Sequence, residues 1–477
     1  MEVEQVEIKE EVKEEVKPAK PKKERKPLSA SKYLALGYLA VIVTGGFLLC
    51  TPFARATFTW SWSSFTSCWT NPIDAFFTAT SAACVTGLIT LDTATYWSYF
   101  GQIVILVLIQ VGGLGFMSII SLVIIIFKRK MSTKQRKVAM QASGMFEIGD
   151  VNSTIKRVVF YTILFESIGT GLLMIEFLPK YGLIGIYYSV FTSISAFCNA
   201  GFALFSTSLV DYYSNPLVLL TVMFLIIFGG IGFYVWENLF RTAFRWRKFT
   251  LHSKIVLVGT LFMIVIPAIL FFVFEINGKA LEGMTLGEKI LNSFFLSVTC
   301  RTAGFNTFDL SKLTNSSLML CNVLMLIGGC SGSTAGGVKL TTIIVLVLAI
   351  ISAARKSDVT IGKRRIEDGL VRQASAIFVF YLILLNTALL AMLAFENWFG
   401  TGVYNFQDTL FESISAIATV GLSTLGTDNL SRASQILLII LMYVGRTGGL
   451  TIIFIFTERN SNQEGTLKLP SEKVLIG

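Results

Sequence analysis

The sequence predicts an all-α integral membrane protein built from four tandem copies of a helix, a half-membrane pore helix and a second helix. That makes eight transmembrane helices plus four re-entrant pore helices around one pseudo-fourfold axis. Three observations predict it. The composition is 53% hydrophobic with 15% charged residues, which is not that of a soluble globular domain. Eight apolar runs are long enough to cross a bilayer. A short glycine-centred stretch recurs four times between them.

The apolar runs set the element order, because a crossing helix needs about 20 such residues and shorter runs suit re-entrant or buried segments. Long runs occupy 33–52, 100–127, 158–178, 216–236, 255–274, 316–354, 374–395 and 433–457. Alternate gaps hold the shorter segments "PIDAFFTATSAA", "GIYYSVFTSISAF", "EKILNSFFLSVT" and "NFQDTLFESISAIA". They lead into "TSAACVTGL" at 80–88, "ISAFCNAGF" at 194–202, "SVTCRTAGF" at 297–305 and "ISAIATVGL" at 414–422. Aligned on Gly87, Gly201, Gly304 and Gly421, the copies share a phenylalanine ten residues earlier: Phe77, Phe191, Phe294 and Phe411. Steps of 114, 103 and 117 residues are too long for a solenoid and long enough for one structural unit each. The units are expected at 33–130, 131–245, 246–356 (with a broken second helix) and 357–458. A disordered charged cytosolic tail precedes them at 1–32, and a cytosolic tail follows at 459–477.

Charge gives the orientation. The connectors 128–157, 241–254 and 355–372 carry eight, five and six Lys/Arg, whereas 179–215 and 397–432 carry one each. The rich connectors face the cytosol, as do both termini, in a multi-pass protein of the plasma membrane. The net charge of +10 is therefore spent on topology, not on nucleic acid. Trp60, Trp62, Trp69, Trp97 and Trp398 are expected at the outer headgroup level. The seven cysteines lie mostly in apolar segments, with Cys84 and Cys198 at one repeat position, and show no disulfide framework or metal spacing.

Irregular backbone is tolerated inside a membrane only where it is buried in protein or lines a watery cavity. One glycine loop alone would read as a site of close helix packing. Four at equivalent positions point to a pore. Free carbonyls at the negative end of each short helix favour a cation, and glycine lets successive carbonyls turn to the axis. A ring of carbonyls is what a dehydrated potassium ion needs. The expected ion-binding residues are Val85, Thr86, Gly87, Asn199, Ala200, Gly201, Thr302, Ala303, Gly304, Thr419, Val420 and Gly421.

On "CVTGL", "NAGF", "RTAGFN" and "TVGL", the chain resembles the Trk/Ktr/HKT superfamily of potassium transporters, and most of all its KtrB-type membrane subunits. "LIQVGGLGFM" at 108–117, "GGCSGSTAGGVKLTT" at 328–342 and "GRTGGLT" at 445–451 extend the likeness over roughly residues 30–477. The resemblance implies potassium uptake through a filter of four loops, with potassium as substrate at the filter glycines, sodium as an activator and no covalent cofactor. In the family, glycine at all four filter positions goes with potassium selectivity, and serine in the first goes with sodium preference. It further implies a homodimer in membrane lipid, on a cytosolic ring of nucleotide-binding RCK subunits of the KtrA/KtrC kind. The alternative within the superfamily is a sodium-permeable or cation-symporting member.

The run 316–354 has 39 residues, too many for one span and too few for two with a turn. Its centre, "GGCSGSTAGG", reads as a break in a helix. By resemblance this stretch, Gly328, Gly329, Cys330, Ser331, Gly332, Ser333, Thr334, Ala335, Gly336 and Gly337, is an intramembrane gate, with Lys339 after it and Arg446 nearby. A charge placed mid-span is costly and usually functional. The plain alternative for Arg446 is an ion pair with a buried carboxylate such as Glu166. Arg301 is expected to orient its loop through backbone carbonyls. "GCSG" at 329–332 also matches a rhomboid-type intramembrane serine protease, which would need Ser331 to meet the one histidine, His252. The residues point to a transporter and not an enzyme.

Overall fold

The computed structural model describes residues 30–59, 68–115, 151–361, 364–400 and 404–449. The charged N-terminal tail, Trp60, Trp62, most of the connector 128–157 and the C-terminal tail lie outside the described residues. The chain is predominantly helical: α1 (Ala30–Cys50), α2 (Pro72–Ala83), α3 (Tyr99–Leu114), α4 (Val151–Tyr181), α5 (Ile184–Phe197), α6 (Pro216–Ile231), α7 (Phe233–Arg241), α8 (Leu251–Glu275), α9 (Leu286–Thr299), α10 (Asn315–Leu326), α11 (Leu340–Arg355), α12 (Asp368–Phe399), α13 (Phe406–Ile417) and α14 (Arg432–Thr447). A small antiparallel hairpin, β1 (Thr360–Ile361) and β2 (Arg364–Arg365), interrupts the helical pattern in a basic connector.

Among the described residues, α1, α4, α8 and α12 are long and apolar enough to cross a membrane, and α6 with α7 forms a fifth candidate bent by 93°. The other apolar helices are shorter, because α3, α6 and α14 all stop at a glycine with positive φ: Gly115, Gly232 and Gly448. A left-handed residue ends a helix and lets the chain turn away. Sequence reading expected such a break in the third unit alone, where α10 and α11 are indeed separated by residues 327–339.

Three of the four short helices, α2, α9 and α13, begin where the sequence supplies side-chain caps, whereas α5 follows Leu183 without one. The Asn71 side chain accepts from the Ile73 N–H at 3.0 Å ahead of Pro72, and Asn405 accepts from Gln407 and Asp408. Thr285 and Glu288 form a reciprocal capping box on α9. Each short helix packs on a helix from the preceding stretch: α5 on α3, α9 on α6, α13 on α10, and α2 on α14. The last pairing brings the two ends of the chain's order together, and Arg432 of α14 seals it with a 2.6 Å ion pair to buried Asp74 of α2.

Two buried carboxylates that the sequence reading missed act as staples. Glu275, at the end of α8, accepts from the backbone and hydroxyl of Thr314, the residue that caps α10, at 2.8 and 2.7 Å. Glu396 in α12 does the same for α14, accepting from Ser431 N–H, Ser431 hydroxyl and Ser434 hydroxyl. A carboxylate placed at a helix N-terminus satisfies orphan N–H groups and the helix dipole together.

Trp69 and Trp398 are exposed, but Trp97 is 1% exposed, packed edge-on to Tyr96 and bridged through its backbone to Arg55. Trp97 therefore differs from Trp69 and Trp398 in being buried within the protein. It is a core residue, packed in the same cluster as Leu49, Ala54 and Phe77.

Candidate functional site

After each short helix the backbone makes the same manoeuvre. Val85, Asn199, Thr302 and Thr419 all have positive φ, between 51° and 70°, and the glycine two residues later is positive as well. Non-glycine residues seldom adopt this conformation, and they persist in it only when the surroundings hold them there. What holds them is local. The N–H of Thr86, Ala200 and Val420 returns to the carbonyl of Ser81, Ser195 and Ser415 at 2.8 Å, and Ala303 N–H returns to Thr299 at 2.9 Å. Ser81 and Ser415 hydroxyls also accept from Gly87 and Gly421 N–H, and the Thr299 hydroxyl donates to the Phe305 carbonyl.

The third loop is one residue shorter than the others between its returning hydrogen bond and its helix, so Thr299 stands where the serines stand elsewhere. Consequently Phe295, which is buried, takes the place of Phe77, Phe191 and Phe411, while Phe294 is only half-buried. The gapless alignment that paired Phe294 with the other three is corrected by one position.

The four glycines meet. A side-chain carbon on Gly87 would lie 2.6 Å from the Ala200 carbonyl oxygen, one on Gly201 2.9 Å from that of Ala303, and one on Gly304 2.6 Å from that of Val420. One on Gly421 would collide with the Thr86 carbonyl, returning the sequence of contacts to the first loop. Only glycine fits at such an approach. The four glycines and the carbonyls of Thr86, Ala200, Ala303 and Val420 are thus brought into one constriction. The Asn199 amide turns away from it, donating to the carbonyls of Ile226 and Ala196 in the orientation that satisfies both. The hydroxyls of Thr86, Thr302 and Thr419 are buried without a partner.

On one side the constriction opens into a vestibule of about 420 Å³ lined by all four glycines together with Asp92, Asn306, Asp309 and Ser423. Asp92 is held there by the Thr95 hydroxyl and by Ser206 of the second loop. Two carboxylates at the mouth of a narrow opening attract cations.

On the other side stands the loop 327–339. Gly336 lies against the Thr419 hydroxyl so closely that no side chain would fit. Thr334 donates its N–H to the Gly229 carbonyl and its hydroxyl to the Phe197 carbonyl, both at 3.3 Å. Cys330 N–H reaches the Gly230 carbonyl at 3.0 Å, and Phe233 N–H reaches the Gly332 carbonyl at 2.9 Å. Lys339 donates to the Ala335 carbonyl at 2.6 Å. Arg446 donates to two carbonyls at once, Thr334 in the loop and Gly112 at the end of α3.

The alternative partner for Arg446 is thereby set aside, since Glu166 accepts instead from the Gln110 amide at 3.1 and 3.3 Å. Arg301 differs from expectation too. It is buried near the Cys330 thiol of the loop, and among the described residues no side-chain hydrogen bond joins it to a backbone carbonyl. Ser331, the candidate nucleophile, pairs with the Thr341 hydroxyl. All seven cysteines are buried and free.

A pattern the sequence reading passed over now becomes visible: "GGLG" at 112–115, "GGIG" at 229–232, "GGCSG" at 328–332 and "GRTG" at 445–448. The first glycine of three of them abuts the end of the neighbouring short helix, Gly112 on the Ala83 carbonyl, Gly229 on Phe197 and Gly445 on Ile417. Arg446 stands where the other three copies have their second glycine.

Residues 53–464 match the family model described as TrkH, cation transport protein. The chain is 38% identical to the potassium/sodium uptake protein NtpJ of Enterococcus hirae, covering 96% of this chain and 99% of that one. It is 36% identical to the Ktr system potassium uptake protein B of Bacillus subtilis, over 93% of this chain and 96% of the other. Its fold is similar to that of the potassium transporter TrkH from Vibrio parahaemolyticus, with a TM-score of 0.69 at 16% identity, covering 91% and 86% of the two chains.

Proposed function

Since the chain belongs to the TrkH/Ktr family of cation transport proteins and is a membrane transporter rather than an enzyme, we propose that it takes up potassium through the constriction of the four glycine loops. The observation that carries this reading is the closed sequence of contacts in which each glycine faces the carbonyl of the next loop. Four loops of carbonyls with no side chain between them replace a potassium ion's water without a proton-transfer or covalent step. Eight spans and four pore helices, in the four units expected from the sequence, would surround that pathway. The names of the relatives, a potassium/sodium uptake protein of Enterococcus and a potassium uptake protein of Bacillus, support potassium as the ion.

In this reading the vestibule with Asp92 and Asp309 faces outward and gathers cations. The twelve residues from Val85 to Gly421 select them. The stretch Gly328 to Gly337, with Lys339 and Arg446, closes the pathway from within. The site lies in the plasma membrane with both termini in the cytosol. A homodimer on a cytosolic nucleotide-binding ring of the RCK kind would regulate it, in keeping with relatives named as parts of a Ktr system. A second reading, uptake of sodium as well as potassium, is favoured by the name of the Enterococcus relative.

Uptake measured in cells lacking their own potassium uptake, with and without sodium, tests both. Restored growth at low potassium is expected. Failure of a well-expressed protein to restore it, at any sodium level, would overturn the reading.

A further inference from the structure

The connector between α6 and α8 is built as more than a tether. At Gly232, with φ of +102°, the chain turns 93° from α6 into α7. The new helix is two-faced: Phe233, Val235, Trp236 and Leu239 are buried, whereas Phe240 and Arg241 are exposed. Beyond it the backbone passes through two left-handed residues, Ala243 and Phe244, and a turn at Trp246–Lys248 before α8 begins at Leu251. Residues 242–250 thus join the bent candidate span of α6 and α7 to the candidate span α8.

Its surface joins two chemistries. Arg241, Arg245, Arg247, Lys248 and Lys254 fall within residues 241–254, which contain no Asp or Glu. Among the described residues none of the five is in an ion pair, and the nearby Glu237 is already held by Arg157. Phe244 and Trp246 are 59% and 50% exposed beside them, and the Lys254 ammonium sits over the Trp246 ring. Guanidinium groups fit phosphate oxygens, and exposed aromatic rings beside them fit the boundary between headgroups and acyl chains. A soluble protein partner could meet the charges, but the rings lie on a segment anchored by spans at both ends.

We propose that residues 240–254 form a binding site for anionic phospholipid headgroups, and that the site bears on the loop 327–339. The link is the elbow itself. Gly229 and Gly230 accept from Thr334 and Cys330 of the loop, and Phe233, the first residue of α7, donates to Gly332. Lipid that holds α7 flat keeps those three groups in place, so bound anionic lipid favours the loop position described here. This last consequence rests on the transport reading; the lipid site does not.

The test uses the full-length protein and phosphatidylglycerol, with phosphatidylcholine as the neutral comparison. Native mass spectrometry is expected to show preferential retention of phosphatidylglycerol. Changing Arg241, Arg245, Arg247 and Lys248 together to Gln should weaken retention by about fivefold per charge removed. The same change at Arg355, Lys356, Arg364 and Arg365 should leave it near wild type. If the fourfold variant is not recovered folded, Arg245→Gln and Arg247→Gln singly give the same ordering at smaller size. In vesicles, phosphatidylglycerol should slow potassium flux through the wild type and not through the variant. Equal retention by wild type and variant overturns the site, as does a variant that keeps lipid but loses binding of a cytosolic protein partner. Lost retention with unchanged lipid dependence of flux overturns the link to the loop. Intact retention with no flux in any lipid supports the site and counts against the transport reading instead.

Discussion

The glycine ring and the loop 327–339 are both irregular backbone within an apolar surround, yet they are satisfied in opposite ways. In the ring, each loop's N–H groups return to its own short helix within four to six residues, as from Thr86 and Gly87 to Ser81. In the loop 327–339 short-range bonds such as Gly328 to Val338 and Lys339 to Ala335 are joined by partners remote in sequence: Phe197, Gly229, Gly230 and, through Thr334, Arg446 of α14. Local bonds keep their geometry when helices shift; bonds between elements are lost when those elements part. A proposed filter requires a fixed template and a proposed gate a part with two positions, and the contrast suits the ring and the loop 327–339 to those roles respectively.

The comparison breaks most visibly if the ring is not anchored as described. Phe295→Ala should destabilise the protein by about 3–5 kcal/mol, and Phe294→Ala by clearly less. Thermal unfolding in detergent measures both, and equal losses would return the third loop to the register of the gapless alignment. Gly87→Ser comes next. Its side chain must displace the Ala200 carbonyl, so the preference for potassium over sodium should fall by about tenfold, ~1.4 kcal/mol in relative affinity. Competition uptake reads this directly.

Arg446→Gln removes two charge-assisted hydrogen bonds, one to the loop 327–339 and one to the end of α3. Each is worth about 1.5–3 kcal/mol, part of which is lost in any open position too. Potassium flux should therefore rise severalfold with little change in selectivity, as should flux after deletion within residues 328–337. Smallest is a comparison inside the ring. Ser415→Ala leaves the Gly421 N–H without its acceptor, whereas the Ser195 hydroxyl has no partner to lose. Ser415→Ala should lower potassium affinity by about 1 kcal/mol or less, and Ser195→Ala by less than that. Affinity from uptake at graded potassium concentrations separates them.

How much of this was legible depends on whether the controlling contacts are near in sequence. "PIDAFFTATSAA" becomes α2 residue for residue, because Asn71-Pro72 starts the helix and the small residues before Gly87 end it. The break between α10 and α11 could be read from the 39-residue run that holds it. The breaks after α3 and α6 could not be read from length, since apolar residues continue past each glycine and disguise the stop. Only the recurrence of "GGLG", "GGIG" and "GRTG" carried that signal. The one-residue shortening of the third loop leaves no mark in composition; it emerges from which carbonyl Ala303 meets. Likewise Glu275 and Glu396 look like ordinary charges at span ends until Thr314 and Ser431 are found on them. Arg301, which sequence alone paired with carbonyls, lies instead beside a thiol that is 29 residues away in the chain.

The most direct test of the division between ring and loop is the potassium-to-sodium permeability ratio of Gly87→Ser and Arg446→Gln, measured side by side in vesicles of one composition. The ratio is expected to fall for Gly87→Ser at unchanged or lower flux, and to stay at the wild-type value for Arg446→Gln while flux rises. A ratio that falls for Arg446→Gln and holds for Gly87→Ser would contradict it.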